Sequence, residues 1–404
     1  MEKRTPAKNQ SHLLSWITLA CFAAGAAVGL LWPKLFSYIG FIGTIYINLL
    51  KLMALPILIC TVFNAAARGI KSASRTLLKT ILLFVVLFTT SFLLSGAVYS
   101  LLTPGKGFVL TSGEPWSGTT ADLSWNGFFD TVFSSNIFAS LSGGAMLPCI
   151  LFAFFAGAVA EKVGAQKLCE IVGELETVFS RMLSYILWLT PLGVFVLMGK
   201  CTADFGAGAL GGALSYVLYA WGGCILVFLL VMILPLWLFC RIDPITYFRK
   251  TGRVLLTALS TCSSAATLPE TLRACREEFH VPERVTGVVA PLGCTVHMCG
   301  GAVSFCLLAL FTAQMTGRPV SVGLFLLMLV FAEALNMAAP GIPGGGIVLG
   351  ATYLSLLGMP DLGLFLGMYA GIYRLLDMAY TSMNVAGDVT AVLLVNRWEA
   401  RKKA

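Results

Sequence analysis

The sequence predicts an all-α polytopic membrane protein, and three observations carry that prediction. The 404-residue chain is 58% hydrophobic and only 11% charged, with a mean hydropathy of +0.87, whereas a soluble domain carries about a quarter of its residues as charges. Its apolar residues come in runs near the ~20 residues that a helix needs to cross a bilayer, separated by loops that hold the Lys and Arg. In the second half the runs are broken by Ser, Gly and Pro, at TALSTCSSAATLP (257–269) and NMAAPGIPGGGIVLG (336–350). The formal charge of +8 does not call for nucleic acid, because the basic residues lie at loops and chain ends. The 12 cysteines are scattered singly, without CxxC or His spacing, and read as small buried hydrophobes.

The first span is expected from about Leu13 to Leu31, stopping at Trp32-Pro33. Its basic leader lacks a small-residue cleavage site, so it reads as a retained span rather than a signal peptide. A second span covers about Phe41–Asn64, with Lys51 and Pro56 inside it. The loop carrying Arg68, Lys71, Arg75 and Lys79 is strongly basic and is expected on the cytoplasmic side. A third span runs about Ile81–Leu102, and the Gly/Ser/Thr-rich segment Thr103–Asp130 reads as an outside loop. The fourth span is expected at Ile137–Ala160, the fifth at Met182–Met198 with Pro191 inside, and the sixth at Tyr216–Cys240. Basic residues alternate between loops, which places both termini in the cytoplasm.

After the sixth span the chain changes character. The run around Ser260, Thr261, Ser263, Ser264 and Thr267 has charged flanks on both sides and is too short to cross. It is expected to enter and return on one side; the alternative is a cytoplasmic helix pair with a Ser-rich turn. A re-entrant tip leaves backbone groups unpaired, tolerable at membrane depth only where it is buried in protein or lines a wet cavity. A span at Val285–Phe311 follows, interrupted by PLGCTVHMCGG, then the second broken run, then a last span at Leu364–Val395. The prediction is therefore six plain spans, two broken hairpins and two polar, interrupted helices. Paired interruptions of this kind point to a transporter site.

The last span carries Arg374, Asp377, Thr381, Asn384 and Asp388. Each carboxylate costs about 2.5–3.5 kcal/mol at the centre of a membrane helix. Spacings of 4, 3 and 4 put Asp377, Thr381, Asn384 and Asp388 on one helical face, which must turn inward. Oxygen ligands of this kind suit Na⁺, and composition does not separate Na⁺ from a proton; a seam that merely packs or neutralises Arg374 is the other reading.

Taken together, STCSSAATLP, PLGCTVHMCGG, AAPGIPGGG and DMAYTSMNVAGD resemble the dicarboxylate/amino acid:cation symporter family, the glutamate-transporter homologues. LLKLMALPILI resembles that family's second helix and SSNIFASLSGGAMLPCILFAFFAG its fourth, so the likeness covers nearly the whole chain. The resemblance implies eight transmembrane helices plus two re-entrant helical hairpins, of the elevator type, assembled as a homotrimer in the plasma (inner) membrane of a bacterium. Residues 1–245 would be mainly scaffold and trimerisation helices, the third and sixth belonging to the transport domain. Residues 246–404 would be the transport core. By resemblance Ser263 and Ser264 would hold the substrate carboxylate, with Asn384 adding an amide donor and Asp377 facing the α-amino group. Gly301, Tyr380 and Thr381, with Gly341, Ile342 and Pro343 of the second hairpin, would complete the substrate site. Asp388, with carbonyls near Gly293, His297 and Asn384, would form one Na⁺ site; Thr295, Asn336, Met337 and Ala339 would form a second, under a gate at Ala338–Gly346. Na⁺ is thus the implied coupling ion, with no organic cofactor, and the lipid bilayer and a small-molecule substrate are the partners.

This chain departs from the family pattern at several of those positions. The NMDG motif reads HMCG here, so a third cation site built on its Asp is expected to be missing or altered, although Thr90 and Ser91 remain. His297 would be a proton carrier in place of an ion, or simply a packed neutral histidine. Tyr380 stands where acidic-substrate members carry an Arg, Gly301 where the family motif continues with a Thr, and Tyr373 where the family usually carries a second Asp on this helix. A Tyr cannot grip a side-chain carboxylate bidentately, so the reading favours a neutral amino acid. The alternative is a dicarboxylate or acidic amino acid, with Arg374 as the clamp. A Ser–His enzyme is disfavoured by the lack of GxSxG or HExxH, and a pure pore would show no saturable, gradient-coupled flux.

Overall fold

The computed structural model describes residues 6–71, 75–108, 133–143, 146–206, 208–337, 345–359 and 363–400, and every regular element among them is a helix. Most of the expected outside loop at 103–130 lies beyond the described residues. Helix α1 (Pro6–Leu31) ends at Trp32 and α2 (Pro33–Lys71) begins at the next proline, which costs nothing there because a first-turn N–H has no helical partner. Helix α3 is Arg75–Leu102. The fourth expected span is divided into α4 (Ile137–Ser142), capped by Asn136, and α5 (Met146–Lys162).

The fifth expected span is not one helix. It divides into α6 (Gln166–Leu187) and α7 (Thr190–Phe205), bent by 52° at the break. Pro191, expected in a helix interior, opens the first turn of α7, the position its missing N–H favours. Helix α8 (Gly208–Val227) continues through wider turns at Phe228–Ile233 and Leu236–Cys240.

The second half is built from hairpins around a single long helix. Helix α9 (Pro244–Thr261) is capped by Asp243 and joined to α10 (Ser264–Arg273) by two residues, Cys262 in the left-handed region (φ 51°) and extended Ser263. Lys250 donates to the Glu278 carbonyl at 2.6 Å, so the two arms run antiparallel. Hydrogen bonds from Thr246 hold the Asp243 carboxyl below its ordinary range. Helices α11 (Glu283–Val296) and α12 (Cys299–Thr316) are one span interrupted at His297, which is extended, and Met298, which is also non-helical. Helices α13 (Val322–Met337) and α14 (Gly345–Leu356) form the second hairpin, its arms joined by Tyr353 Oη donating to the Met328 carbonyl at 2.8 Å. At 1.5 Å per residue α13 and α14 are about 24 and 18 Å long, short of the ~30 Å hydrocarbon core. Helix α15 (Gly363–Ala400) is continuous; the interruption expected in the last span is absent, because its polar residues face inward and break no backbone hydrogen bond.

Among the described residues, Leu78–Leu102, Leu210–Cys240, Glu283–Thr316 and Phe365–Ala400 are long and apolar enough to cross a membrane, five spans with the bent α6–α7 pair. Their burial separates them into two kinds. The first two windows are 39% and 44% buried, the last two 83%, so the helices that carry polar groups form the interior. On α3, Leu82, Val86 and Leu93 are exposed along one face, an apolar surface suited to lipid.

Helix α15 is the axis of the core, packed against α7, α8, α9, α11 and α12. Tyr247 of α9 donates to the Ala386 carbonyl at 3.0 Å, and Trp221 of α8 to that of Leu375 at 3.1 Å. Arg284 and Glu399 pair at 2.6 Å between α11 and the end of α15. Helix α1 lies close on α7: a Cβ on Gly29 would strike the Gly199 carbonyl and Thr202 Oγ1, so only glycine admits that approach.

Candidate functional site

The tip of hairpin 1, the arms of hairpin 2, the α11–α12 break and the middle of α15 meet around one cavity. Hairpin 1 supplies Cys262 and Ser264, the break Met298 and Gly301, and α12 Ser304 and Phe305. Hairpin 2 supplies Asn336, Gly346 and Leu349, and α15 supplies Tyr373, Asp377, Tyr380, Thr381 and Asn384. The cavity offers about 60 Å³ to the centres of water molecules, room for roughly four to six of them.

Each polar group is held by local structure. The two-residue tip ends α9 at Thr261 and restarts the chain as α10, so the first N–H groups of α10 need acceptors. Ser263 is the N-cap, its Oγ accepting from Ala266 N at 3.2 Å. Its hydroxyl is thereby committed to the helix; Ser264, one residue on, lines the cavity. Thr261 and Thr267 bond one another and the Ser263 carbonyl, which stiffens the tip.

On α15, Thr381 donates to Asp377 Oδ1 at 3.0 Å, and Asp377 is only 8% exposed. One turn on, Asn384 Oδ1 accepts from Gly300 N at 2.8 Å. That bond satisfies an orphan N–H at the start of α12 and fixes the amide in the chamber wall. A Cβ on Gly300 would meet the Tyr380 carbonyl, so the break comes within backbone distance of α15. Tyr380 and Tyr373 line the cavity beside Asp377. Arg374, one turn before Asp377, donates from Nη2 to the Ser260 carbonyl at 2.8 Å and ties hairpin 1 to α15.

Asp388 is not part of that lining and is packed behind the break. His297 Nδ1 lies 3.2 Å from Asp388 Oδ1, and His297 Nε2 lies 2.9 Å from Cys299 Sγ. Phe84 of α3 stacks on the imidazole at 4.4 Å, and Ser91 is within hydrogen-bond reach of the Cys299 thiol. Gly293 has no room for a side chain, since a Cβ would press on Asp388 Oδ1. Asp388, His297 and Cys299 are all buried.

The remaining expected positions fall as follows. Gly301 and Asn336 are neighbours: a Cβ on Gly301 would meet Asn336 Oδ1. Thr295 is exposed, its hydroxyl spent on the Leu292 carbonyl at 2.9 Å within its own helix. Met337 ends α13. Ala339, Gly341, Ile342 and Pro343 lie outside the described residues. The sequence reading did not single out Ser304, Phe305, Leu349 or Glu333. Ser304 was detectable, being one turn past Gly300 and Gly301 on the same helical face.

What this arrangement can do chemically is bind. A carboxylate, hydroxyls and amide groups converge on a space for a small polar solute. The chain is similar to known carriers along nearly its full length. The model of the sodium:dicarboxylate symporter family matches residues 13–398. A proton/sodium-glutamate symport protein of Bacillus caldotenax is 30% identical, the match covering 96% of this chain and 95% of the relative. The neutral amino acid transporter B(0) of Bos taurus is 28% identical over 94% and 79%. A C4-dicarboxylate transport protein of Caulobacter vibrioides is 27% identical over 94% of each. A polar chamber enclosed by interrupted apolar helices, and a family match over almost every described residue, lead to one conclusion: this chain is a transporter and not an enzyme, a membrane protein of the sodium:dicarboxylate symporter family.

Proposed function

We propose that this chain couples Na⁺ entry to uptake of a neutral amino acid. The observation that carries the substrate choice is the charge of the cavity lining: Asp377 is its charged residue, and no Lys or Arg stands among the described lining residues. A zwitterion fits that lining. Its ammonium meets Asp377, and its carboxylate takes donors from Ser264, the N-terminal N–H groups of α10 and the Asn384 amide. A side-chain carboxylate would find no bidentate partner, because Arg374 is engaged with the hairpin backbone. The room for roughly four to six waters suits a small side chain.

Coupling rests on two cation positions. Asp388 with the carbonyls of Gly293, His297 and Asn384 is one; Thr295, Asn336, Met337 and Ala339, through their main chain, are the other. The tight approach of Gly293 to Asp388 supports the first. His297, bridging Asp388 and Cys299, is where a proton would stand in for a further ion. Hairpin arms too short to cross support the re-entrant reading. With it go eight spans, an elevator movement of residues 246–404 with the third and sixth spans against a scaffold, a homotrimer, and cytoplasmic termini in a bacterial inner membrane.

Uptake into proteoliposomes under separate Na⁺ and proton gradients, competed with serine, alanine, aspartate and succinate, tests this. Serine or alanine should compete and the Na⁺ gradient should drive uptake. If aspartate or succinate competes best and Arg374→Ala abolishes that uptake, the substrate is acidic and the neutral reading fails.

A further inference from the structure

A carboxylate that the chamber described above does not use lies on the first arm of hairpin 2. Helix α13 reads VGLFLLMLVFAEALNM, apolar except for Glu333 and Asn336. These two are three residues apart and share a face. Glu333 Oε2 is shielded from solvent and has no hydrogen-bond partner among the described residues; the same holds for Asn336 Oδ1. Asn336 is 1% exposed. Its Oδ1 points at the first turn of α12, where Gly301 leaves room for it, and its Nδ2 lies 3.5 Å from the Val296 carbonyl. Asn336 Oδ1 therefore faces the α11–α12 break, where the last carbonyls of α11 are released from helical bonding, and Glu333 lies one turn earlier on the same helical face.

An unpaired carboxylate in an apolar helix is costly, and such residues at membrane depth mark ion pathways. An amide oxygen without a donor beside it is a second acceptor in the same place. Two acceptors and adjacent main-chain carbonyls call for a cation, and the described ion pairs give Glu333 none. The arm is anchored: Phe325 packs on Phe92 of α3 at 5.4 Å, and Met328 accepts from Tyr353.

We propose that Glu333 is a side-chain ligand of a coupling Na⁺ held between α13 and the α11–α12 break, with Asn336 Oδ1 as its companion. This rests on the reading of the chain as a Na⁺-coupled carrier.

The test is Na⁺ titration of the thermal stability of the purified full-length protein at fixed pH, with choline replacing Na⁺. Wild type should be stabilised, and Glu333→Gln should need at least tenfold more Na⁺ for half the shift. Asn336→Ala should move the midpoint the same way by a smaller factor. Should Glu333→Gln fail to fold, Glu333→Asp keeps the charge, withdraws it by one methylene and should still weaken Na⁺ severalfold. Unchanged midpoints in the Glu333 variants overturn the proposal while leaving Na⁺ coupling intact. So does an unchanged Na⁺ midpoint with an altered pH dependence of uptake, which would make Glu333 a proton site. A wild-type protein indifferent to Na⁺ overturns the coupling reading itself, and the proposal with it.

Discussion

Replacing Asp377 by Asn removes one charge from the cavity and keeps the side-chain shape. Asp377 is 8% exposed, so its attraction for a ligand ammonium belongs with buried pairs and not with surface pairs worth about 0–1 kcal/mol. Stripping one partner from a buried pair costs about 3–5 kcal/mol. At 1.4 kcal/mol per decade this is a roughly 100- to 4,000-fold loss of affinity. The Thr381 bond at 3.0 Å survives, because the Asn oxygen still accepts it, so the fold should be spared. Thr381→Val leaves the charge and removes that bond, and should cost about tenfold, the low end for a hydrogen bond to a charged group. Isothermal titration of purified protein in saturating Na⁺ with alanine and serine measures both. Affinity within threefold of wild type in Asp377→Asn would refute the assignment of Asp377 to an amino group. Tighter binding of succinate by that variant would point to a dicarboxylate carrier.

Ser264→Ala should weaken binding of the amino acid about tenfold or more with little change in melting temperature. Ser263→Ala should do the reverse, losing about 1 kcal/mol of stability with the cap while affinity holds; calorimetry and titration on the same samples separate the two. Arg374→Ala, which removes the 2.8 Å bond to the Ser260 carbonyl, should cost about 1.5 kcal/mol of stability and leave neutral-substrate uptake measurable in proteoliposomes. Gly293→Ala pushes a methyl group against Asp388, costing about 1–3 kcal/mol by overpacking. It should raise the Na⁺ concentration for half-maximal thermal stabilisation, whereas Gly222→Ala, with nothing near its Cβ, should not.

The outline of this molecule was legible because its signals are local. Trp32-Pro33 separates α1 from α2 as read, since proline cannot extend a helix interior but starts one freely. The Ser-rich run and the Gly/Pro run mark both hairpins because such residues favour turns over helix interiors. Pro191 misled, because a proline inside an apolar run does not say whether it kinks one helix or opens the next; the packing of α7 on α1 and α2 decided that. Glu333 was passed over although a lone carboxylate in an apolar run is itself a signal, because that stretch was read for its Gly/Pro break.

By itself the sequence determined the membrane class, the interrupted second half and the polar face of the last helix, for hydropathy and helical period are properties of neighbours along the chain. Only the tertiary structure divided that face. Asp377, Thr381 and Asn384 line one cavity, while Asp388, a single turn further, is claimed by His297 and Gly293 behind the break. The local turn at the hairpin tip committed Ser263 to a cap, whereas tertiary packing put Ser264 in the chamber wall and sent Arg374 to a hairpin carbonyl. Spacing fixes which side chains share a face; what meets that face comes from segments some 90 to 115 residues away, and that depends on how whole helices pack.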